Sequence, residues 1–213
     1  MEISTVATTS GDDVRRVTAS DNLLLKHAPR ERWAMPCKIT ELRIRPGRPA
    51  DVPLLQAIDR AATGRYAEMP QTRFCVELPV RDDAEHRLAR ECGLAVVIDL
   101  EGVPVGFALA MPKDGCAHLL EVAVAPRLQG RGYGTRLIAT AEAWAPDSGF
   151  TEITLTTFRD VRWNASFFGN LGYELIEIGS DRPELAGVIA DERRSWFHAA
   201  PRIVRRKAFD RRK

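Results

Sequence analysis

Long apolar runs are missing from this chain. The most hydrophobic stretch, around Gly93–Ile98, falls far short of the ~20 residues that a membrane-spanning helix needs. Charge of one sign is missing too. Thirty-one Lys and Arg against 29 Asp and Glu leave a net charge of +2. That imbalance is too small to announce a polyanionic partner, so neither nucleic acid nor membrane is expected. Cysteine is sparse: Cys37, Cys75, Cys92 and Cys116 show no C-x-x-C spacing. This argues against a zinc ribbon or a thioredoxin-type motif, so no metal is expected and the thiols read as small buried hydrophobes. The N-terminus lacks the apolar core of a secretory signal, because Asp12 and Asp13 interrupt it. A reducing cytoplasm is the expected location.

What is present describes a folded protein. The chain has 213 residues, 45% hydrophobic and 28% charged, which suits one ordinary domain with an extension. Residues 1–38 are rich in Ser and Thr and sustain no hydrophobic period, so they read as a flexible N-terminal extension. The domain is expected over 39–213. Thr40–Arg45 alternates like a strand, and Asp51 is placed to cap a helix carrying Val52, Leu54, Leu55, Ile58 and Ala61 on one side. After an irregular stretch to Arg81, a charged helix runs to Cys92. Three apolar strands follow, Leu94–Leu100, Val103–Met111 and His118–Val124. The turns between them carry Glu101-Gly102 and Lys113-Asp114-Gly115, which is hairpin chemistry. A helix with Leu137, Ile138, Ala141 and Trp144 at helical spacing comes next. Then the pattern predicts a strand Glu152–Thr157, a helix Asn164–Leu171, a strand Tyr173–Ile178, a helix Pro183–Trp196 and a last strand Arg202–Phe209. The order is β-α-(α)-βββ-α-β-α-β-α-β, a mixed α/β domain with a largely antiparallel start.

The most informative segment lies between His118 and Ile138. A strand ends at Pro126, and Gln129-Gly130-Arg131-Gly132-Tyr133-Gly134-Thr135 then opens a helix. Such a loop offers backbone N–H groups and the positive end of a helix dipole to a phosphate, and glycine lets the backbone approach without a Cβ. No Lys-Ser/Thr follows, as a P-loop would require. The glycines run G-x-G-x-G after antiparallel hairpins, not G-x-G-x-x-G inside a parallel unit. A plain glycine-rich turn without a ligand stays open on the loop alone.

Gln129-x-x-Gly132-x-Gly134 behind Val122-Ala-Val124-Ala-Pro126 resembles the acetyl-CoA signature of the GNAT superfamily of N-acetyltransferases. Asn164-Ala-Ser-Phe-Phe-Gly-Asn-Leu-Gly-Tyr173 is similar to the family's final motif, where an aromatic pair precedes a Gly-aromatic dipeptide. The resemblance covers about Ile39–Phe209. It implies a mostly antiparallel sheet flanked by helices and splayed at its central strands. It also implies acetyl-CoA as co-substrate. Val122, Ala123 and Val124 would run beside the pantetheine arm, with a free N–H near Val124 to polarise the thioester carbonyl. Gln129, Gly130, Arg131, Gly132, Tyr133, Gly134 and Thr135 would hold the pyrophosphate. Asn164 and Phe168 would lie across the splay.

Acetyl transfer needs a neutral amine, whereas an alkylamine has a pKa near ~10, so a base must take its proton. Glu121 and His118, on the strand beside the thioester, are the candidates. Strict alternation would put them on opposite faces, and a bulge between them would bring them to one. Each also has a structural reading, Glu121 in an ion pair and His118 as a hydrogen-bonded core residue. The resemblance implies a tyrosine as general acid at the position of Phe168, which has no proton to give. Tyr133 and Tyr173 read as loop and core residues, and Trp144, Trp163 and Trp196 as packing residues, with a place in the acceptor pocket as the alternative for Trp163, which stands beside Asn164. The expected activity is acetyl transfer to a primary amine, with a small-molecule acceptor. A protein lysine or N-terminal acetyltransferase and a non-catalytic acyl-CoA sensor are the alternatives, and a homodimer is left open. The basic end of the chain, Arg202 to Lys213, reads as a solvated strand edge and tail.

Overall fold

The computed structural model describes residues 42–195 and 200–210. The extension expected over residues 1–38, and Cys37, Trp196 and the last three basic residues with it, lie outside that range. Among the described residues seven strands form one open sheet in the order β1-β2-β3-β4-β5-β7-β6. They are β1 Leu42–Pro46, β2 Leu94–Leu100, β3 Val103–Lys113, β4 Cys116–Val124, β5 Glu152–Phe158, β6 Glu174–Ile176 and β7 Arg202–Ala208. Every pairing is antiparallel except that of β4 with β5. The helices are α1 Val52–Thr63, α2 Asp83–Cys92, α3 Tyr133–Asp147, α4 Arg162–Asn170 and α5 Pro183–Ser195.

Local chemistry accounts for the hairpins. Glu101 and Gly102 have φ of 53° and 86°, and Asp114 and Gly115 have 47° and 72°. Two successive left-handed residues are what a two-residue turn needs to match the twist of its strands. β3 has seven consecutive buried residues from Pro104 to Ala110, because both faces of the sheet are covered. On one face α3 packs Leu137, Ile138 and Ala141 against Val96, Ala108, Leu119 and Ile153. On the other, Leu55 and Ile58 of α1 and Ala89 of α2 meet Val97, Phe107 and Leu109. α2 is closed by a reciprocal cap: the Asp82 carboxylate accepts from the Glu85 N–H, and the Glu85 carboxylate from that of Asp82.

β3, β4 and β5 run one or two residues beyond the expected ranges, to Lys113, from Cys116 and to Phe158, and larger differences lie elsewhere. α4 begins at Arg162, because Val161 is extended and serves as its N-cap. β6 is three residues long, since Tyr173 turns inward as a core residue, 2% exposed. The irregular stretch before α2 is built of two short 3-10 helices, Gly64–Glu68 and Arg73–Glu77. β7 lies between β5 and β6 and is not the solvated edge expected of it. Arg202 pairs with Glu192, Arg206 with Glu152 and Glu174, and Lys207 with Glu142, while Arg205 donates to the Tyr173 carbonyl.

Candidate active site

The site begins with a failure of pairing. β4 and β5 pair only over Ala117–Leu119 and Ile153–Leu155, although each strand continues further. Beyond Leu119 they part, so the backbone of β4 from Leu120 to Val124 faces a cleft. The carbonyl of Val124 is turned to that side and accepts from the Gln129 side chain at 3.0 Å. Because N–H and C=O of one strand residue point the same way, the N–H of Val124 faces the cleft too.

A bulge sets the side chains. Opposite β3, Leu109 pairs with Glu121 but Ala110 pairs with Leu119, so Leu120 is the extra residue. It resets the alternation and brings His118 and Glu121 to one cavity of about 530 Å³. The carbonyl of Leu120 accepts from Arg81 Nη2 at 3.1 Å. Arg81 is thereby held beside Glu121, Nε to Oε2 3.8 Å, while its Nη1 bonds Glu85 at 2.7 Å.

On the other side of the splay lies a second cavity, of about 520 Å³. Gly130 and Gly132, at φ of 74° and 80°, turn the chain into α3. Gly132 is the N-cap and no side chain caps the helix. The first intrahelical bond runs from Arg136 N–H to Gly132 C=O, so the N–H groups of Tyr133, Gly134 and Thr135 precede the hydrogen-bond ladder. A Cβ on Gly132 would meet no protein atom within 4 Å. Glycine is required here by the left-handed backbone, and the space it leaves opens beside the helix N-terminus. This cradle, of a size for a pantetheine arm and its phosphates, fits acetyl-CoA.

Of the residues expected to bind the cofactor, Val122, Ala123, Val124, Gln129, Gly130, Gly132, Tyr133, Gly134, Thr135, Asn164 and Phe168 line this cavity, and Glu121 does as well. Arg131 does not; it is exposed on the loop. His118 lines only the 530 Å³ cavity. It is 2% exposed, and its Nδ1 lies 2.9 Å from the Thr154 hydroxyl. Burial, and then the charges of Lys113, Arg81 and Arg202, push its pKa down to about 3. Such a ring stays neutral and is a poor base.

The two cavities share Asp59, Thr63, Tyr66, Glu121, Val122, Asn164 and Phe168. Burial raises the pKa of Glu121, against the pull of Arg81 and Arg202. Burial and then the Glu121 charge push Asp59 up to about 7. Two carboxyl groups at one junction are thus both pushed above the ordinary carboxylate range, chiefly by burial. Tyr66 receives a hydrogen bond from Asn164 Nδ2 at 2.9 Å. Arg65 reaches across the mouth, its Nη1 donating to Gln129 Oε1 at 3.2 Å and its guanidinium 4.7 Å from the Trp163 ring centroid. Trp163 thus lines the cofactor cavity, whereas Trp144 packs on Phe150 as its pattern predicts.

Asp59, Arg65, Tyr66 and Arg81 were not singled out from the sequence. The one available signal was that the segment after α1 is irregular yet carries charged and aromatic residues, as binding loops do.

The model of the Acetyltransferase (GNAT) family matches residues 60–173, more than half of the chain, and the chain belongs to that family of acyl-transferring enzymes. Its fold is similar to that of the PaiA N-acetyltransferase from Thermoplasma acidophilum, solved in complex with coenzyme A. The two are 15% identical with a TM-score of 0.60, over 79% of this chain and 99% of that one. It is also similar to the ribosomal-protein-S18-alanine N-acetyltransferase from Escherichia coli, at 14% identity and a TM-score of 0.59 over 81% and 97%. N-acetylglutamate synthase from Neisseria gonorrhoeae, complexed with coenzyme A and N-acetyl-glutamate, matches at 16% identity and 0.60 over 80% of this chain and 36% of that one. Among the described residues no helix is long and apolar enough to cross a membrane, and no cluster of three or more His, Cys, Asp or Glu is arranged to hold a metal.

Proposed function

We propose that the protein is a cytoplasmic acetyl-CoA-dependent N-acetyltransferase acting on a small primary amine. The observation that carries this reading is the meeting of two cavities at the splay of β4 and β5. One is lined by the glycine loop and the start of α3, and the other by charged and apolar side chains. An acetyl group held in the first and an amine in the second would meet at Glu121, Tyr66 and Asn164. Acetyl-CoA supplies the activated acyl group when bound.

Residues of this chain do the rest. The N–H groups of Gly130–Thr135 and the dipole of α3 hold phosphate. The N–H of Val124 is turned into the cleft where a carbonyl oxygen gaining charge would sit, a place where a fixed donor is worth several kcal/mol. Glu121 takes the proton of the incoming ammonium. Its raised pKa brings it closer to the operating pH, which favours proton transfer in both directions. Asp59 lines the same junction as a like charge, which opposes ionisation of both groups at once. Glu121 is preferred to His118 because the imidazole is committed to Thr154 and buried away from the cofactor cavity. The acceptor cavity, at about 530 Å³, is within the range of small-ligand sites.

The test is thiol release from acetyl-CoA over a panel of small primary amines and of peptides with free N-termini or lysines. Turnover on small amines is the expected result. Turnover confined to peptides would replace the acceptor class, and calorimetric binding of acetyl-CoA without turnover on any amine would mark a sensor.

A further inference from the structure

The phenol absent at Phe168 has a counterpart in space. We propose that Tyr66 is the general acid of the reaction, protonating the departing thiolate from the 3-10 turn after α1. This rests on the acetyltransferase reading above and names a catalytic residue for it.

Position is the first argument. The chain's other tyrosines are unsuited. Tyr173 is 2% exposed and packs edge-on against Phe168 at 5.8 Å, outside both cavities. Tyr133 lies in the glycine loop and lines only the cofactor cavity. Tyr66 lines both cavities, and so stands at the junction where the carbon–sulfur bond must break. Its hydroxyl is tied to Asn164, one helical turn before Phe168 on α4. Residues four apart on a helix share a face, about 5–6 Å between Cβ atoms. The phenol is therefore delivered to the patch of α4 that Phe168 occupies.

Hydrogen-bond direction is the second argument. Asn164 donates and the phenolic oxygen accepts, so the phenolic proton is left to give. Among the described residues the phenolic oxygen makes no hydrogen bond besides the one from Asn164. The ring is held rigidly, edge-on to Phe158 at 5.4 Å and tilted against Trp163 at 6.1 Å. Glu121 faces it from β4, Arg202 from β7 and Cys75 from the second 3-10 turn. Burial and the Glu121 charge raise its pKa, against the Asn164 bond and the Arg202 charge, so the phenol stays protonated in the working range.

The step balances. The ammonium gives one proton to Glu121, which passes it to solvent; the neutral nitrogen then forms its bond to the acyl carbon and gives its second proton to Glu121. The carbon–sulfur bond breaks with its electron pair on sulfur, and the Tyr66 proton moves to that sulfur. Solvent returns a proton to the phenolate and takes one from the Glu121 carboxyl group, leaving both residues as they began.

The experiment compares wild type with Tyr66→Phe and with the double variant Tyr66→Phe/Phe168→Tyr. The readouts are kcat on the best amine, acetyl-CoA affinity by calorimetry, and the ultraviolet thiolate absorbance of the coenzyme A complex titrated with pH. Tyr66→Phe is expected to lose about 10²-fold in kcat, the low end of acid–base contributions, with affinity within about threefold of wild type. The bound thiol should titrate at higher pH in Tyr66→Phe, because the hydrogen bond that stabilises the thiolate is gone. The double variant should recover at least about tenfold of the rate, since a phenol is restored one turn away. An unchanged kcat in Tyr66→Phe overturns the proposal, as does a loss with the thiol titration unmoved and no recovery in the double variant. Absence of acetyl-CoA binding to wild type would overturn the acetyltransferase reading itself.

Discussion

Replacing Glu121 by Gln removes the proposed base with little change of shape, and its cost can be worked out. An alkylammonium with a pKa near ~10.4 is neutral in roughly one molecule in 10³ at pH 7. A base that lets the ammonium form react can supply up to that factor, within the usual ~10²–10⁴-fold range. Glu121→Gln should therefore lower kcat/KM by about 10²–10³-fold at pH 7, or ~2.7–4.1 kcal/mol. The deficit should shrink about tenfold per pH unit as free amine accumulates, and nearly vanish by pH ~10. The fold should be little affected, because Arg81 keeps its bonds to Glu85 at 2.7 Å and to the Leu120 carbonyl at 3.1 Å. Asp59, losing the adjacent charge, should titrate below its present value of about 7. The assay is steady-state thiol release between pH 6 and 9.5 with saturating acetyl-CoA. A loss equal at every pH, or no loss, would refute Glu121 as the base.

Asp59→Asn removes the like charge facing Glu121, so the acid limb of kcat/KM should move to lower pH. Its folded-state pKa is raised, so the wild type loses stability as pH climbs from the ordinary carboxylate value of ~3.9 towards about 7. The Asn variant's advantage in Tm should grow over that window and level off above it. Gly93→Ala should destabilise the fold by about 1–3 kcal/mol in urea unfolding, because the new Cβ would lie 2.1 Å from the Ala110 carbonyl oxygen. An unchanged midpoint would show that β2 and β3 part there at little cost.

Much of this was legible because it is local. The hairpin turns announce themselves through Glu101-Gly102 and Asp114-Gly115, whose left-handed backbone is a property of a few residues. The glycine loop is equally local, and all the residues read from it except Arg131 line one cavity. A bulge between His118 and Glu121 could be named from the sequence as the condition for one face, but its place at Leu120 could not, since Leu120 is an ordinary leucine beside Leu119 and its looping out depends on the register of β3. Only that register brings His118 and Glu121 to one side. Asp59 and Tyr66 were hidden for a different reason. On α1 the apolar positions Leu55 and Ile58 mark the buried face, and Asp59, the polar residue next to Ile58, looks solvated until a strand 62 positions later arrives beside it. The hydrogen bond from Asn164 to Tyr66 joins residues 98 apart, which no periodicity can show. Trp163 read as packing because its partners, Arg65 and Tyr66, come from the same distant turn.

The claim on which all the chemistry depends is that the loop from Gln129 to Thr135 holds the phosphates of acetyl-CoA. Calorimetric titration of acetyl-CoA into wild type and Gly132→Val tests it directly. Gly132 sits at φ 80° and lines the cavity, so valine there both strains the loop and puts a side chain into the cradle. The account predicts binding to wild type and a dissociation constant raised by more than tenfold in the variant, above ~1.4 kcal/mol, with the unfolding transition retained. Equal affinity in the two proteins would contradict it.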